Sequence, residues 1–255
     1  MLTACTLTGV DTHTDLDRVF DLSRRYPFAE WGVLYSPGRA GRAGMWRYPD
    51  IAWFERMLLP RLAANPGGPR FALHLCGGAV GEFLNGEGAA ARIAADFPRI
   101  QINLRNGRDQ SPLLCEALRR HPDQTLITQH NLGNLLLHRD LSGFPNYAVL
   151  FDSSGGRGIL RRRWSAPLMQ ESRILACGYA GGLGPENLAT ELPRIRDAAQ
   201  GQPFWIDMES RLRDDHDRFD LDRAGRCLEI AAPFALRAAD EPARDSSLST
   251  PGTSP

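Results

Sequence analysis

The sequence has no lysine. All 30 of its basic residues are arginine, and they balance 30 Asp and Glu residues to a net charge of zero over 255 residues. The absence of lysine excludes enzymes that form a Schiff base on a lysine side chain, and it excludes a P-loop, which needs Gly-Lys-Ser/Thr. Because the net charge gives no bulk field, we expect neither a nucleic acid nor a membrane surface as a partner.

Cysteine is sparse, and its spacing shows no recognisable motif. The five cysteines are scattered without a Cys-x-x-Cys pair, which is typical of reduced thiols rather than of a secreted disulfide framework. The chain also lacks the basic-then-apolar plan of a secretory signal and any apolar run of membrane-spanning length. We therefore expect a soluble cytoplasmic protein.

Apolar runs that are typical of strands alternate with helical patterns along the chain. The predicted strands are residues 4–10, 30–35, 70–75, 99–104, 124–129, 147–152, 173–179 and 203–208. Helical spacing marks residues 15–25, 50–62, 111–120, 186–199 and 220–234. Thr14 or Asp15, then Asp50 and Ser111, stand where the first three of these helices would be capped.

Eight strands joined by helix-bearing connections predict parallel βαβ units and a single (β/α)8 TIM barrel over residues 1–235. An open doubly wound sheet fits less well, because no Gly-x-Gly-x-x-Gly follows the first strand. Residues 236–255 are rich in Ser, Pro and charged residues, with little to bury. They predict a disordered tail.

The stretch GYAGGLGPEN, residues 178–187, joins the seventh strand to a helix. In a barrel the carboxyl ends of the strands share one face, and phosphate sites often use the loops after strands seven and eight. Gly181 and Gly182 would expose backbone N–H groups near a helix N-terminus, which suits a phosphate. The alternative is a tight turn in which glycine supplies a positive φ.

Laid out in this way, the chain resembles the phosphoribosylanthranilate isomerase family, as a divergent member of the ribulose-phosphate-binding barrels. Five segments carry the resemblance: AGGLGPEN at 180–187, VLFDSSGGRG at 149–158, VLYSPGR at 33–39, LTGVDTHTDLD at 7–17 and WIDMES at 205–210. The family reaction, a step of tryptophan biosynthesis, is an Amadori rearrangement of a phosphorylated aminoaldose to an aminoketose. The resemblance implies general acid/base chemistry on a small phosphorylated substrate and no cofactor.

The resemblance assigns catalytic roles only in part. Asp152 matches the general acid that ends strand six in the family. Thr8 stands where the family has its cysteine base, and a threonine hydroxyl is no base unless a stronger group takes its proton. Asp11, just past the first strand, is a candidate substitute base, and so is His74, although a histidine in an apolar strand is more often part of the core.

Substrate-binding roles follow the same alignment. Arg39 matches the family's arginine for the substrate carboxylate, and Arg42 is equally within reach. Gly181 and Gly182 would hold the phosphate together with Ser210. Glu209 beside Ser210 would repel a phosphate unless it faces away, and Arg211 is a candidate to compensate.

The missing cysteine leaves three hypotheses open: an isomerase of the family type, a barrel of the same descent with another phosphorylated substrate, or a non-catalytic ligand-binding or regulatory barrel. We predict no metal site, because Asp11, Asp152, Asp207 and Glu209 show no recognised ligand spacing. The run DDHD at 214–217 is typical of a solvated surface. We expect a monomer or a homodimer, in which the glycine-rich loop 38–50 forms either a lid or an interface.

Overall fold

The strands of the protein lie within residues 2–208. A computed structural model describes residues 1–104, 106–152, 159–160, 162–170 and 172–235, without the side chains of Arg108 and Leu132. The main strands are β1 (Leu2–Thr8), β2 (Ala29–Tyr35), β3 (Arg70–Leu75), β4 (Arg99–Ile102), β5 (Thr125–Gln129), β6 (Tyr147–Asp152), β7 (Ala176–Ala180) and β8 (Phe204–Met208). The predicted tail, 236–255, lies outside the described residues.

All eight strands are parallel and close into a barrel in the order β1-β8-β7-β6-β5-β4-β3-β2. The predicted (β/α)8 TIM-barrel fold is therefore confirmed. No helix among the described residues is long and apolar enough to cross a membrane.

Helices pack around the outside of the barrel. They are α1 (Leu16–Arg25), α2 (Ile51–Trp53, then a π-helical turn Phe54–Leu58, then Leu59–Ala63), α3 (Gly78–Asn85), α4 (Gly88–Ala94), α5 (Ser111–Arg120), α6 (Leu135–Leu141), α7 (Leu188–Ala198) and α8 (Leu221–Ala231). The connection from β6 to β7 differs from the predicted pattern. Its described residues hold a short antiparallel ribbon, Met169–Gln170 with Arg173–Ile174, in place of a helix.

Two of the three predicted helix caps are confirmed. The Asp15 carboxylate accepts hydrogen bonds from the backbone N–H groups of Asp17 and Arg18, and Asp50 accepts one from the N–H of Trp53 at 2.8 Å. The prediction for Ser111 is wrong. Ser111 is the first residue of the helix and not its cap. Its hydroxyl donates a hydrogen bond to Asp140 on α6 at 3.0 Å and is therefore not used to cap the helix.

A polar layer closes the barrel below its carboxyl-terminal mouth. The buried carboxylate of Glu30 accepts a hydrogen bond from Thr6 at 2.7 Å and forms an ion pair with Arg99 at 3.2 Å. The guanidinium group of Arg99 lies over the ring of Trp205, 4.6 Å from its centroid. Each charge of this layer has a partner, and its side chains fill the barrel interior at this level, so the layer forms a floor.

The floor depends on a glycine. Gly178 on β7 stands beside Trp205 on β8, and a Cβ at position 178 would lie 2.1 Å from the indole Cε2. The indole ring therefore occupies the space of the missing side chain.

We predict that Gly178→Ala lowers the free energy of unfolding by about 1–3 kcal/mol, because the indole has to leave its packed position. A matched control is Gly81→Ala on α3, where a Cβ meets nothing within 4 Å and the gain in helix propensity is about 1 kcal/mol. Urea unfolding of both variants checks this. Equal stability of Gly178→Ala and the wild type would contradict it.

Candidate functional site

A cavity of about 870 Å³ opens at the carboxyl-terminal mouth of the barrel. Its lining comes from the ends of β2 to β8 and from the loops that follow them. Most of the charged and polar lining residues are Arg39, Arg47, Tyr48, Gln101, Asn103, Gln129, Asn131, Asp152, Asp207, Glu209, Ser210 and Arg211. The sequence therefore places many chemically active side chains at one end of the fold, as barrel enzymes do.

Two aspartates face this cavity from β6 and β8. Ala180 on β7, the strand between them, is in register with both Asp152 and Asp207. The two residues therefore lie on one line of hydrogen-bonding register, and their backbones are two strand spacings, about 10 Å, apart. The small side chain of Ala180 leaves the space between them open. Gln129 donates a hydrogen bond to Asp152 at 3.2 Å.

The pKa of the Asp207 carboxyl group lies well above its ordinary value. Burial raises the pKa of its carboxyl group to about 7; the hydrogen bond from Thr8 opposes this rise, while Glu209, Asp152 and Glu30 add to it through like-charge repulsion. A group with this pKa is present in both protonation states near neutral pH. It can therefore give or take a proton under physiological conditions.

Thr8 lies beside Asp207, on the neighbouring strand, and is not part of the cavity lining. Its Oγ1 donates a hydrogen bond to Asp207 Oδ1 at 2.6 Å. A Cβ at Gly32 on β2 would lie 2.3 Å from Thr8 Oγ1, so the glycine makes room for the hydroxyl. Thr8 therefore supplies a hydrogen-bond donor that orients a carboxylate on the neighbouring strand, β8.

Asp11 lies outside the cavity lining, and its carboxylate already has several partners. It is fully buried and forms an ion pair with Arg213 at 2.8 Å. It also accepts hydrogen bonds from the backbone N–H groups of His13 and Phe219 and from the hydroxyl of Thr14. These contacts tie the end of β1 to the loop before α8. We therefore do not retain Asp11 as the base.

His74 is on the inward face of β3, one side-chain layer below Cys76, and it is not part of the cavity lining. Burial, with a contribution from Arg99, lowers the pKa of its imidazole to about 3. The ring is therefore neutral near pH 7, and its place is in the barrel interior. We do not retain His74 as base or substrate ligand.

The glycine loop lies where the sequence predicts. Gly181 and Gly182 line the cavity with φ angles of 115° and 67°, so both need the freedom of glycine, as the turn interpretation requires. The Asn187 side chain stabilises the loop: it donates to Gly182 O at 2.8 Å and accepts from Gly184 N–H at 3.0 Å. Helix α7 begins only at Leu188, so Pro185 lies in the preceding turn.

Glu209 is neutralised by a residue of the 38–50 loop. Arg47 Nη1 bonds Glu209 Oε1 at 2.7 Å, and the same guanidinium contacts Asp217, which also pairs with Arg213. Asp217, the last residue of the run 214–217, therefore forms ion pairs, so this run is not simply a solvated surface. Burial raises the pKa of Glu209, whereas Arg47 acts in the opposite direction.

The remaining predicted ligands lie at the rim. Arg39 is exposed and donates to the Tyr48 hydroxyl at 2.7 Å. Ser210 and Arg211 line the cavity after β8, and the stem of Arg211 packs on Gly184. Across the described residues, no group of three or more His, Cys, Asp or Glu side chains is arranged to hold a metal ion.

Comparisons with known proteins agree with the fold. No protein-family model and no curated protein sequence matches the chain. The crystal structure of phosphoribosyl anthranilate isomerase from Thermus thermophilus is similar, with a TM-score of 0.57 and 15% identity over 91% of this chain and 99% of that one. The N-(5'-phosphoribosyl)anthranilate isomerase from Pyrococcus furiosus gives a TM-score of 0.51 and 14% identity over 91% and 99%. Likenesses at this identity show the barrel fold alone.

The perturbed carboxyl group of Asp207 predicts a pH-dependent stability. The folded protein holds this proton up to about pH 7, whereas an unfolded chain releases it near pH 4. The unfolded state therefore binds fewer protons in this window, and the free energy of unfolding falls as pH rises, by up to about 4 kcal/mol. Asp207→Asn should remove that part of the decline.

Urea unfolding between pH 4.5 and 8 measures the effect. The exposed Asp123 offers a matched control, since Asp123→Asn should retain the slope of the wild type. Parallel curves for the wild type and Asp207→Asn would show that Asp207 titrates in the folded state as it does in the unfolded chain.

Proposed function

We propose that the chain is an acid/base isomerase that converts a small phosphorylated aminoaldose to an aminoketose, with Asp152 and Asp207 as its proton-transferring pair. The observation that supports it best is the register of these two residues on either side of Ala180, at the mouth of a barrel. Two carboxyl groups in different environments are a recurrent way to supply an acid and a base at one site.

In this reaction Asp152 gives its proton to the ring oxygen of the sugar while the C1–O bond breaks. The nitrogen lone pair forms the C1=N bond of the open iminium ion. The Asp207 carboxylate then takes the proton from C2, and the C–H electron pair forms C1=C2 as the C=N pair returns to nitrogen. The resulting enolamine becomes the ketone when its hydroxyl proton is lost and C1 is protonated, so the product is an isomer.

The hydrogen bond from Thr8 supports Asp207 as the base. A threonine cannot replace the cysteine of the family in proton abstraction, but it can hold a neighbouring carboxylate in one orientation. In this proposal the first strand contributes to the base only indirectly, through the hydrogen bond from Thr8 to Asp207. Thr8 is a positioning residue in this proposal, and Asp207 is the catalytic one.

The phosphate would bind at the Gly181–Gly182 loop beside Ser210 and Arg211. The negative charge of Glu209 near this position is offset by Arg47. The two solved structures with the same barrel are named as isomerases of a phosphoribosyl compound, which agrees with a phosphorylated substrate.

The catalytic test follows phosphoribosylanthranilate, generated in situ, by its fluorescence decay. We expect Asp152→Asn and Asp207→Asn each to lower kcat/KM by at least about 100-fold, because each removes a proton-transfer group. Thr8→Val should raise the pKa of Asp207 and move the rising limb of the pH profile to higher pH. Asp123→Asn serves as the control and should react as the wild type does.

Full activity of Asp207→Asn would exclude Asp207 as the base. Absence of turnover by the wild type would exclude phosphoribosylanthranilate as the substrate of this site.

The anion subsite has its own prediction. Arg47→Ala should weaken binding of ribose 5-phosphate about tenfold, because Glu209 is left as an unpaired negative charge near the phosphate. The double variant Arg47→Ala/Glu209→Gln should recover most of this loss. Arg42→Ala on the same loop is the matched control, since its side chain is exposed. Calorimetric titration measures all four proteins, and equal affinity of Arg47→Ala and the wild type would contradict the prediction.

A further inference from the structure

The loop of residues 38–50 brings a tyrosine into the cavity lining. Its backbone folds back on itself, since the N–H of Gly41 donates to the carbonyl oxygen of Tyr48 at 3.1 Å and the N–H of Tyr48 donates to that of Met45 at 3.0 Å. Tyr48 is only 8% exposed, and it lines the cavity together with Arg39. Residues 40–50 lie outside the segments that resemble the isomerase family, so the resemblance assigns no role to Tyr48.

The hydroxyl of Tyr48 has a proton to donate. Its oxygen accepts a hydrogen bond from Arg39 Nη1 at 2.7 Å, and a hydroxyl that accepts in this way still carries its own O–H donor. No acceptor for that donor is found among the residues that the structure describes. Burial, with a contribution from Cys76, raises the pKa of the phenol, although Arg39 acts in the opposite direction. The phenol therefore keeps its proton at neutral pH and is available as a donor to a ligand.

Arg39 adds a positive charge beside this hydroxyl. A guanidinium group has five N–H donors in a planar fork, and one of those of Arg39 is used on Tyr48. Within the described part of the chain, no Asp or Glu forms an ion pair with Arg39. Glu209, an acid that acts on Tyr48, is itself bonded to Arg47 at 2.7 Å. The Arg39–Tyr48 pair therefore presents a cation and a neutral O–H donor to the cavity.

We propose that Tyr48 is a specificity-determining residue, whose hydroxyl donates to a carboxylate on the amine half of the substrate. Arg39 holds the hydroxyl oxygen and donates a second hydrogen bond to the same carboxylate. The two donor atoms are 2.7 Å apart, so the two oxygens of one carboxylate can accept from both, and hydrogen bonds to an ionised acceptor are the strong ones. The resemblance gives such a carboxylate to Arg39 alone.

This inference rests on the proposed function for the position of the phosphate. In the closed barrel order β2-β1-β8-β7, the Arg39–Tyr48 pair follows β2 and the Gly181–Gly182 loop follows β7. The two subsites are therefore separated across the mouth. A phosphate at one and a carboxylate at the other fix the orientation of the substrate between them.

The test uses binding rather than turnover, so that it remains informative if the proposed reaction is wrong. Two unreactive ligands share a 1-anilino-1-deoxyribitol 5-phosphate frame, and one of them carries a carboxyl group at the ortho position of the ring. Calorimetric titration of the wild type should give at least about tenfold tighter binding of the carboxyl ligand, because a hydrogen bond to a charged group is worth about 1.4 kcal/mol or more. Ribose 5-phosphate is titrated alongside as a ligand without the amine half.

A tyrosine-to-phenylalanine exchange connects the preference to the hydroxyl. Tyr48→Phe removes only the hydroxyl and keeps the ring and the backbone hydrogen bonds of the loop. It should reduce the preference for the carboxyl ligand to less than about threefold and leave the affinity for ribose 5-phosphate unchanged. Tyr26→Phe is the matched control: Tyr26 is also 8% exposed but lies at the end of α1, outside the cavity lining. It should keep the preference of the wild type.

Four results would overturn the proposal: equal binding of the two ligands by the wild type, binding of neither, a preference that survives Tyr48→Phe, or a loss of ribose 5-phosphate affinity in that variant. The last would mean that the hydroxyl holds the phosphate or the shape of the loop. Failure of the proposed function alone would appear as a preference that depends on Tyr48 without isomerisation. Turnover of phosphoribosylanthranilate with a preference that survives Tyr48→Phe would contradict this inference alone.

Discussion

The carboxyl group of Asp207 is buried beside other acids, and the Thr8 hydroxyl donates a short hydrogen bond to it. Burial and repulsion by Glu209 and Asp152 raise the pKa of this group, while Thr8 limits the rise. The proton transfer that we propose for Asp207 depends on that balance, because it keeps this carboxyl group close to its titration midpoint near neutral pH.

The rest of the fold holds these groups in place. Gly32 leaves room for the Thr8 hydroxyl, and Ala180 keeps the space between the aspartates open. Below them, the Glu30–Arg99 pair closes the barrel and leaves no unpaired charge in its floor. Each of these features depends on the size or charge of a side chain on the inner face of a strand. The same inner-face residues therefore determine both the packing of the barrel interior and the shape of the site.

The sequence predicts the barrel well, because eight apolar runs with intervening helical patterns specify it. It also locates the mouth, since polar residues follow the strands. It does not predict which of these residues meet. Asp11 follows β1 in the chain, but its carboxylate forms an ion pair with Arg213, 202 residues away. Arg47 lies in a glycine-rich loop with no periodicity, and only the folded chain brings it to Glu209. The alternation of side chains along β8 places Asp207 on the inner face, but only the register of β1 with β8 brings it to Thr8.

The most direct test of the account is the titration of Asp207 itself. The ¹³C carboxyl resonances of aspartate-labelled protein, assigned by comparison with Asp207→Asn, would be followed from pH 4 to pH 9. The account predicts an inflection for Asp207 near pH 7, which moves to higher pH in Thr8→Val. An inflection near pH 4, unchanged by Thr8→Val, would contradict it.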